Sequence, residues 1–228
     1  MPSIGLYQYE LYRNEIGRAT ATSAFARERP EITAGGFCKT CNNGWTDRLD
    51  KDVEPWLTHA LHAQRRVLTR EFAKTPATWI CKVGMVADTM LGQPTLSQDQ
   101  RDYLYNHLEP PPGWRVWLGT AERGTEHRVG LGPWALVRPT GLGYMFTIVL
   151  DQFVAQALVL PREEDALTHP LEPRVVRQLW PIRMDANKIA WPEGTVPIPE
   201  TSLDDFASWA AGVPMSAEDA PASIPLFP

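Results

Sequence analysis

The chain has 228 residues, enough to bury a real hydrophobic core in one domain with an appended tail. An apolar share of 43% with nine tryptophans excludes a disordered chain, and no run approaches the roughly 18 apolar residues that a membrane span needs. A net charge of −5 and a pI near 5.6 exclude a broadly basic DNA-binding module, so any nucleic-acid contact has to be local.

Met1–Gly5 lacks the basic start and apolar run of a secretory signal, which places the chain in the cytoplasm. Gly5 to Arg13 alternates aromatic or aliphatic residues with polar ones, the period-two pattern of a half-buried strand. Asn14 to Gly36 is polar and rich in Ala and Thr and reads as a loop leading into a cysteine pair. From Asn43 onward, Trp45, Leu49, Val53, Trp56, Leu57, Ala60 and Leu61 recur at helical spacing. Asn42 or Asn43 is placed to cap that helix, Asp47, Asp50 and Asp52 lie toward its start, and Arg65 and Arg66 lie toward its end. Pro55 is expected to bend it.

A second helix is predicted over Pro76–Leu91, with Trp79, Ile80, Val83, Val86, Ala87 and Met90 as its apolar stripe. Ser97 opens a third, with Asp99 and Gln100 in its first turn, and Pro110-Pro111-Pro112 ends it. Strands follow at 114–120, 134–138, 144–150 and 153–160, the last two joined by a hairpin turn at Asp151-Gln152. Gly141-Leu142-Gly143 reads as a turn. Leu179-Trp180-Pro181 and Ala190-Trp191-Pro192 lead to a short helix starting at 201–206, and the residues beyond Gly212 read as a disordered tail.

Helices first and antiparallel strands later make this an α+β chain. Three segments are expected: 1–75 with the cysteine pair and long helix, 76–184 with a helical pair and an antiparallel sheet, and 185–228 as a proline-rich, partly disordered end.

The chemistry concentrates in Phe37-Cys38-Lys39-Thr40-Cys41-Asn42-Asn43-Gly44-Trp45. Two cysteines at this spacing turn their sulfurs toward one centre, so Cys38 and Cys41 read as half of a zinc site. His59 and His62 complete a finger-like series on paper, yet an unbroken helix from Asn43 carries His59 roughly 24 Å away. Cys81 falls in the apolar stripe and reads as a small buried hydrophobe. His107, His127 and His169 are isolated and read as surface or loop residues. Arg65, Arg66, Arg70 and Lys74 form the one local basic run, which as a helix face would simply be solvated. Trp114, Trp117 and Trp134 read as core, with a groove as the alternative. There is no phosphate-binding glycine loop and no Gly-x-Ser-x-Gly elbow.

Residues 37–50 (FCKTCNNGWTDRLD), Trp79 with Lys82, and the Trp-Pro pairs at 180–181 and 191–192 resemble bacterial HNH-endonuclease-like proteins. The resemblance runs from about Gly36 to Pro192 and is strongest at the cysteines. It implies a remnant ββα-metal, treble-clef-like knuckle in which Cys38 and Cys41 are the second zinc pair. Asn42 then takes the final His/Asn position of the HNH pattern, and Trp45 and Leu49 pack the helix. It further implies a nuclease acting on nucleic acid, possible DNA binding, and a divalent ion such as magnesium that polarises the phosphodiester.

The first zinc pair and the Glu-His or Asp-His general base have no counterpart, because residues 1–37 contain neither cysteine nor histidine. Glu28 and Glu31 read as loop carboxylates. Three expectations follow: a truncated or degenerate, inactive HNH-like protein; a working nuclease whose acid–base residues have moved; or a non-catalytic structural or interaction module that keeps the zinc knuckle.

Overall fold

The computed structural model describes residues 7–15, 18–27, 42–90, 96–123, 128–135, 142–159, 169, 171–182 and 188–209. The chain is α+β. A seven-stranded sheet has the order β2-β1-β5-β6-β7-β4-β8, formed by β1 (Tyr7–Glu15), β2 (Arg18–Arg27), β4 (Trp114–Thr120), β5 (Arg128–Ala135), β6 (Leu142–Leu150), β7 (Phe153–Val159) and β8 (Val176–Trp180). All neighbours are antiparallel except β1 and β5, which run parallel. A separate antiparallel pair joins β3 (Arg66–Thr69) to β9 (Lys188–Trp191).

Among the described residues four α-helices accompany the strands: α1 (Asp47–Ala60), α2 (Arg70–Met90), α3 (Gln98–His107) and α4 (Glu200–Trp209). The central strands are covered on both faces, which is why they read as unbroken apolar runs. Along β7, Phe153, Ala155, Ala157 and Val159 join a core shared with α1, α2 and α3, while Val154 and Leu158 join a second core beneath α4. Strand β6 divides in the same way, with Phe146 and Ile148 on one side and Met145 and Val149 on the other.

In α1 the buried residues Leu49, Val53, Trp56 and Ala60 make one stripe at four- and three-residue spacing. Helix α2 is the hub: it touches β5, β7 and β8 of the sheet as well as α1 and α3. Every residue from Pro76 to Cys81 is buried, a run too long for a one-sided helix. Gly84 lets it approach the sheet, because a Cβ there would collide with the Phe146 ring. Ser97 caps α3 with a reciprocal capping box to Gln100, and Leu108, at φ 49°, closes it. The Asp151-Gln152 hairpin turn forms, with Asp151 at φ 51°, and Gln152 N–H bonds to Leu61 O at the end of α1 (3.1 Å).

Several expectations are corrected. The expected loop 14–36 contains β2. Its alanines (19, 21, 24, 26) recur every second residue but slip by one around Thr22-Ser23, and the β1–β2 register shifts at the same place, between Leu11 and Tyr12. The slip hides a strand from a period-two reading. Asn42 and Asn43 do not cap α1, whose N-cap is Thr46, with helical angles and no side-chain cap. Helix α1 ends at Ala60, so Arg65 follows it in a turn and Arg66 is in β3. Helix α2 starts at Arg70 rather than Pro76 and is continuous across residue 75, with Pro76 inside it. Of the expected strand 134–138, Trp134 and Ala135 are in β5, which begins earlier, at Arg128, and residues 136–138 lie outside the described residues; Leu142 and Gly143 open β6 instead of forming a turn. Strands β8 and β9 end at the two Trp-Pro dipeptides, where the missing proline N–H stops a ladder. The short C-terminal helix is present as α4. The residues beyond Gly212 lie outside the described residues.

Candidate functional site at the start of the first helix

The motif leads into a wide helical turn at Asn42–Thr46, kinked at Gly44 (φ −106°, ψ −107°), from which α1 departs. Cys38, Cys41, Glu28 and Glu31 lie outside the described residues, as does His127. Asn42 opens the turn. Just beyond it, two donors from a helix distant in sequence meet on one carboxylate. Asp50, in the first turn of α1, accepts from Trp79 Nε1 (2.9 Å) and from Lys82 Nζ (2.5 Å), both on α2. Trp79 and Lys82 sit three residues apart, so they face the same way from one helix turn. The Lys82 side chain is only 12% exposed while Asp50 is 50% exposed, so the carboxylate is anchored from its buried side and open on the other.

Around this anchor, Trp45 meets Tyr105 of α3 edge to face, with ring centroids 5.9 Å apart. Asp47 pairs with Lys51 one turn on, at 2.7 Å. Trp45 is half-buried against the main core and Leu49 is buried in it, the packing places the resemblance gives them.

The histidine candidates are elsewhere. Helix α1 runs through Pro55 to its end, placing His59 about 18 Å along the axis from Asp47. There His59 Nδ1 lies 2.6 Å from Gln64 Oε1, and His62 Nδ1 lies 3.5 Å from Asp151. His107 is exposed and stacks on Tyr103. Cys81 is fully buried, and burial holds its thiol well above the usual pKa, so it is a protonated core residue.

The basic run does not form one helix face, since it spans a turn, β3 and α2. Arg65 bonds to Glu193 (2.7 Å) and Lys74 to Glu109 (3.1 Å). The Tyr103 hydroxyl and Lys74 together hold the Glu109 carboxyl below its ordinary pKa. Trp114 and Trp117 are fully buried core residues, and Trp134 falls in β5.

His169 lies outside any helix or strand, as a loop residue would, but not at the surface, being only 2% exposed in the core beneath α4. Leu171 N–H donates to its Nδ1 (3.2 Å), which leaves Nε2–H to donate to Gln156 Oε1 (2.8 Å). Gln156 Nε2 in turn donates to Thr147 Oγ1 (3.1 Å) and to Phe206 O in α4 (3.4 Å). Burial pushes the His169 pKa down to about 3. An isolated histidine between prolines carries no sequence signal of such a network. Its counterpart Gln156, a lone polar residue inside the apolar run 153–160, was the available hint.

Among the described residues no group of three or more His, Cys, Asp and Glu side chains is gathered as a metal-ion site, and no helix is long and apolar enough to cross a membrane. No family model, curated protein or solved structure matches the chain.

Proposed function

We propose that this chain is a degenerate HNH-endonuclease-like protein of the cytoplasm, with Cys38 and Cys41 as zinc ligands and Asn42 as the remaining residue of the nuclease pattern. The reading is carried by the convergence on Asp50. Trp79 and Lys82, which the resemblance picks out far downstream of the cysteines, support it by bonding to the helix that follows the motif. The chain order of β1, β2, wide turn and α1 is also that of a ββα unit, although β1 and β2 extend the large sheet.

Two thiolates are soft donors that suit zinc, and a structural zinc takes about four ligands, so the pair supplies half of a site. Hydrolysis needs a general base to activate water, and a divalent ion such as magnesium to stabilise the leaving oxygen. Residues 1–37 contain no histidine to act as that base, and we expect nicking of DNA to be slow or absent.

The alternative, a non-catalytic structural or interaction module that keeps a zinc knuckle, draws on the same carboxylate. Asp50 is neutralised by Lys82 and holds two helices together, a role that needs no chemistry. Elemental analysis of the purified chain should find bound zinc that is lost in Cys38→Ser, and a metal-free protein would sink the zinc reading. Plasmid nicking with magnesium or manganese, abolished in Asn42→Ala, would establish a nuclease. Zinc without nicking is the outcome that the degenerate reading and the module share, and it would set aside only a working nuclease.

A further inference from the structure

We propose that α4 is an acid-released latch: the helix stays docked only while His169 is neutral, and protonation of His169 frees it from a sheet that remains folded. Among the described residues, α4 is held on the sheet by the buried side chains of Leu203 and Phe206 and by Gln156 Nε2, which donates to Phe206 O. The Phe206 ring meets His169 with centroids 6.3 Å apart, and Trp117 of β4 lies against the imidazole at 5.2 Å. The chain ahead of the helix is pinned separately. Ile198 N–H donates to Thr120 O (2.7 Å) and Ile198 O accepts from Glu122 N–H (3.1 Å), which gives α4 a fixed pivot.

A proton cannot be added to the docked imidazole without disrupting its bonds. Nδ1 already accepts the Leu171 N–H and Nε2–H points at Gln156 Oε1, so a second ring N–H would face a donor. The new charge would also be shut away from water, and burial accordingly keeps the docked ring neutral down to about pH 3. The charged residues on the surrounding elements are Arg115, on Trp117's side of β4, Glu172 and Arg174 in the loop after His169, and Glu200, Asp204 and Asp205 in α4; β6 and β7 carry none. Glu172 directs its carboxylate to Trp117 Nε1 (3.3 Å). Carboxylates titrate near pH 4, below the range in which a freed histidine takes up its proton. The opposite face of the sheet does not depend on the latch, because among the described residues none of α4 belongs to the core shared with α1, α2 and α3. Release therefore leaves that core whole and uncovers an apolar strip of β6 and β7: Met145, Val149, Val154 and Leu158.

Hydrogen exchange of the full chain, read by mass spectrometry and corrected for the intrinsic pH dependence of amide exchange, follows α4 and α2 in one sample. A freed imidazole gains its proton below its ordinary value of 6.5, so the opening constant of α4 should rise about thirtyfold from pH 8 to pH 5 while α2 stays protected. His169→Gln should abolish that rise. Leu203→Ala, which loosens the helix one turn before Phe206, should open α4 further at both pH values and keep the same ratio, which tests the latch even if His169→Gln does not fold. Loss of protection in α2 together with α4 would overturn the proposal. So would an α4 opening constant that does not change with pH, or a rise that persists in His169→Gln.

Discussion

The two faces of the large sheet are buried by opposite means. Toward α1, α2 and α3 the contacts are apolar and depend on shape: Trp56, Phe153 and Trp191 meet edge to face or tilted, with centroids 5.5 to 6.3 Å apart, and α2 presses Gly84 onto Phe146. On this face the buried indole N–H groups of Trp56, Trp114 and Trp191 find no protein hydrogen-bond partner among the described residues. Polar bonds on this side tie the helices to each other, through Asp88–Arg101 and Asp50–Lys82. Toward α4 the sheet itself contributes polar side chains, Gln156 and Thr147, and Gln156, braced by His169, bonds to the Phe206 carbonyl of that helix. The helical face should therefore be sensitive to volume and insensitive to mild acid, and the α4 face the reverse.

The largest effect should come from Arg101→Met, which leaves the fully buried Asp88 carboxylate with Leu96 N–H but without its guanidinium. A loss of about 4 kcal/mol in urea denaturation is expected, because an uncompensated buried charge costs more than the pair gains. A loss under about 1 kcal/mol would mean that α3 moves to admit water. Gly84→Ala should follow, at about 2 kcal/mol, despite alanine's better helix propensity. Its double mutant with Phe146→Leu should recover most of the loss, and simple additivity would refute the close approach.

The acid response tests the other face. Folded His169 stays neutral down to about pH 3, whereas the unfolded chain takes up that proton below its ordinary value of 6.5. Within that window the unfolded state binds more protons. This contribution to stability is therefore complete above 6.5 and falls on acidification by up to about 1.4 kcal/mol per pH unit. Denaturation midpoints in His169→Gln should be flatter across pH 4–6.5 than in wild type, whatever the absolute stability of the variant. The smallest effect should be that of Lys82→Met. Its partner Asp50 is half exposed, so the thermal midpoint should reflect less than about 1 kcal/mol, and a larger drop would mark the anchor as more than a surface pair.

What could be read in advance follows from how each element is buried. Strands β4, β6 and β7 were legible because two-sided burial forces continuous apolar runs, and α3 was legible because Ser97 and Gln100 spell a capping box. Strand β2 was hidden by its register slip. Strand β3 (Arg-Val-Leu-Thr) was too short and too basic to separate from a helix end. Helix α2 was shortened because Pro76 looks like a helix start. The carbonyl that Pro76 leaves without its helical donor belongs to Phe72, in an exposed turn where water can serve.

The candidate site was legible as a motif and not as an arrangement. Nothing in the spacing of Asp50, Trp79 and Lys82 announces a shared oxygen, which depends on how α1 and α2 pack. His169 was missed for the same reason, since its partners Trp117, Gln156 and Phe206 come from β4, β7 and α4.

The β3–β9 pair also sets a timetable for synthesis on the ribosome. Trp191, which completes the aromatic cluster around Trp56, emerges about 120 residues after the strand it must join. At about 5–20 residues per second, α1 and β3 wait roughly 6 to 24 seconds with that side uncovered. A chain released before residue 188 should therefore be a better target for holdase chaperones than one released just after Pro192, although the large sheet is already encoded in both.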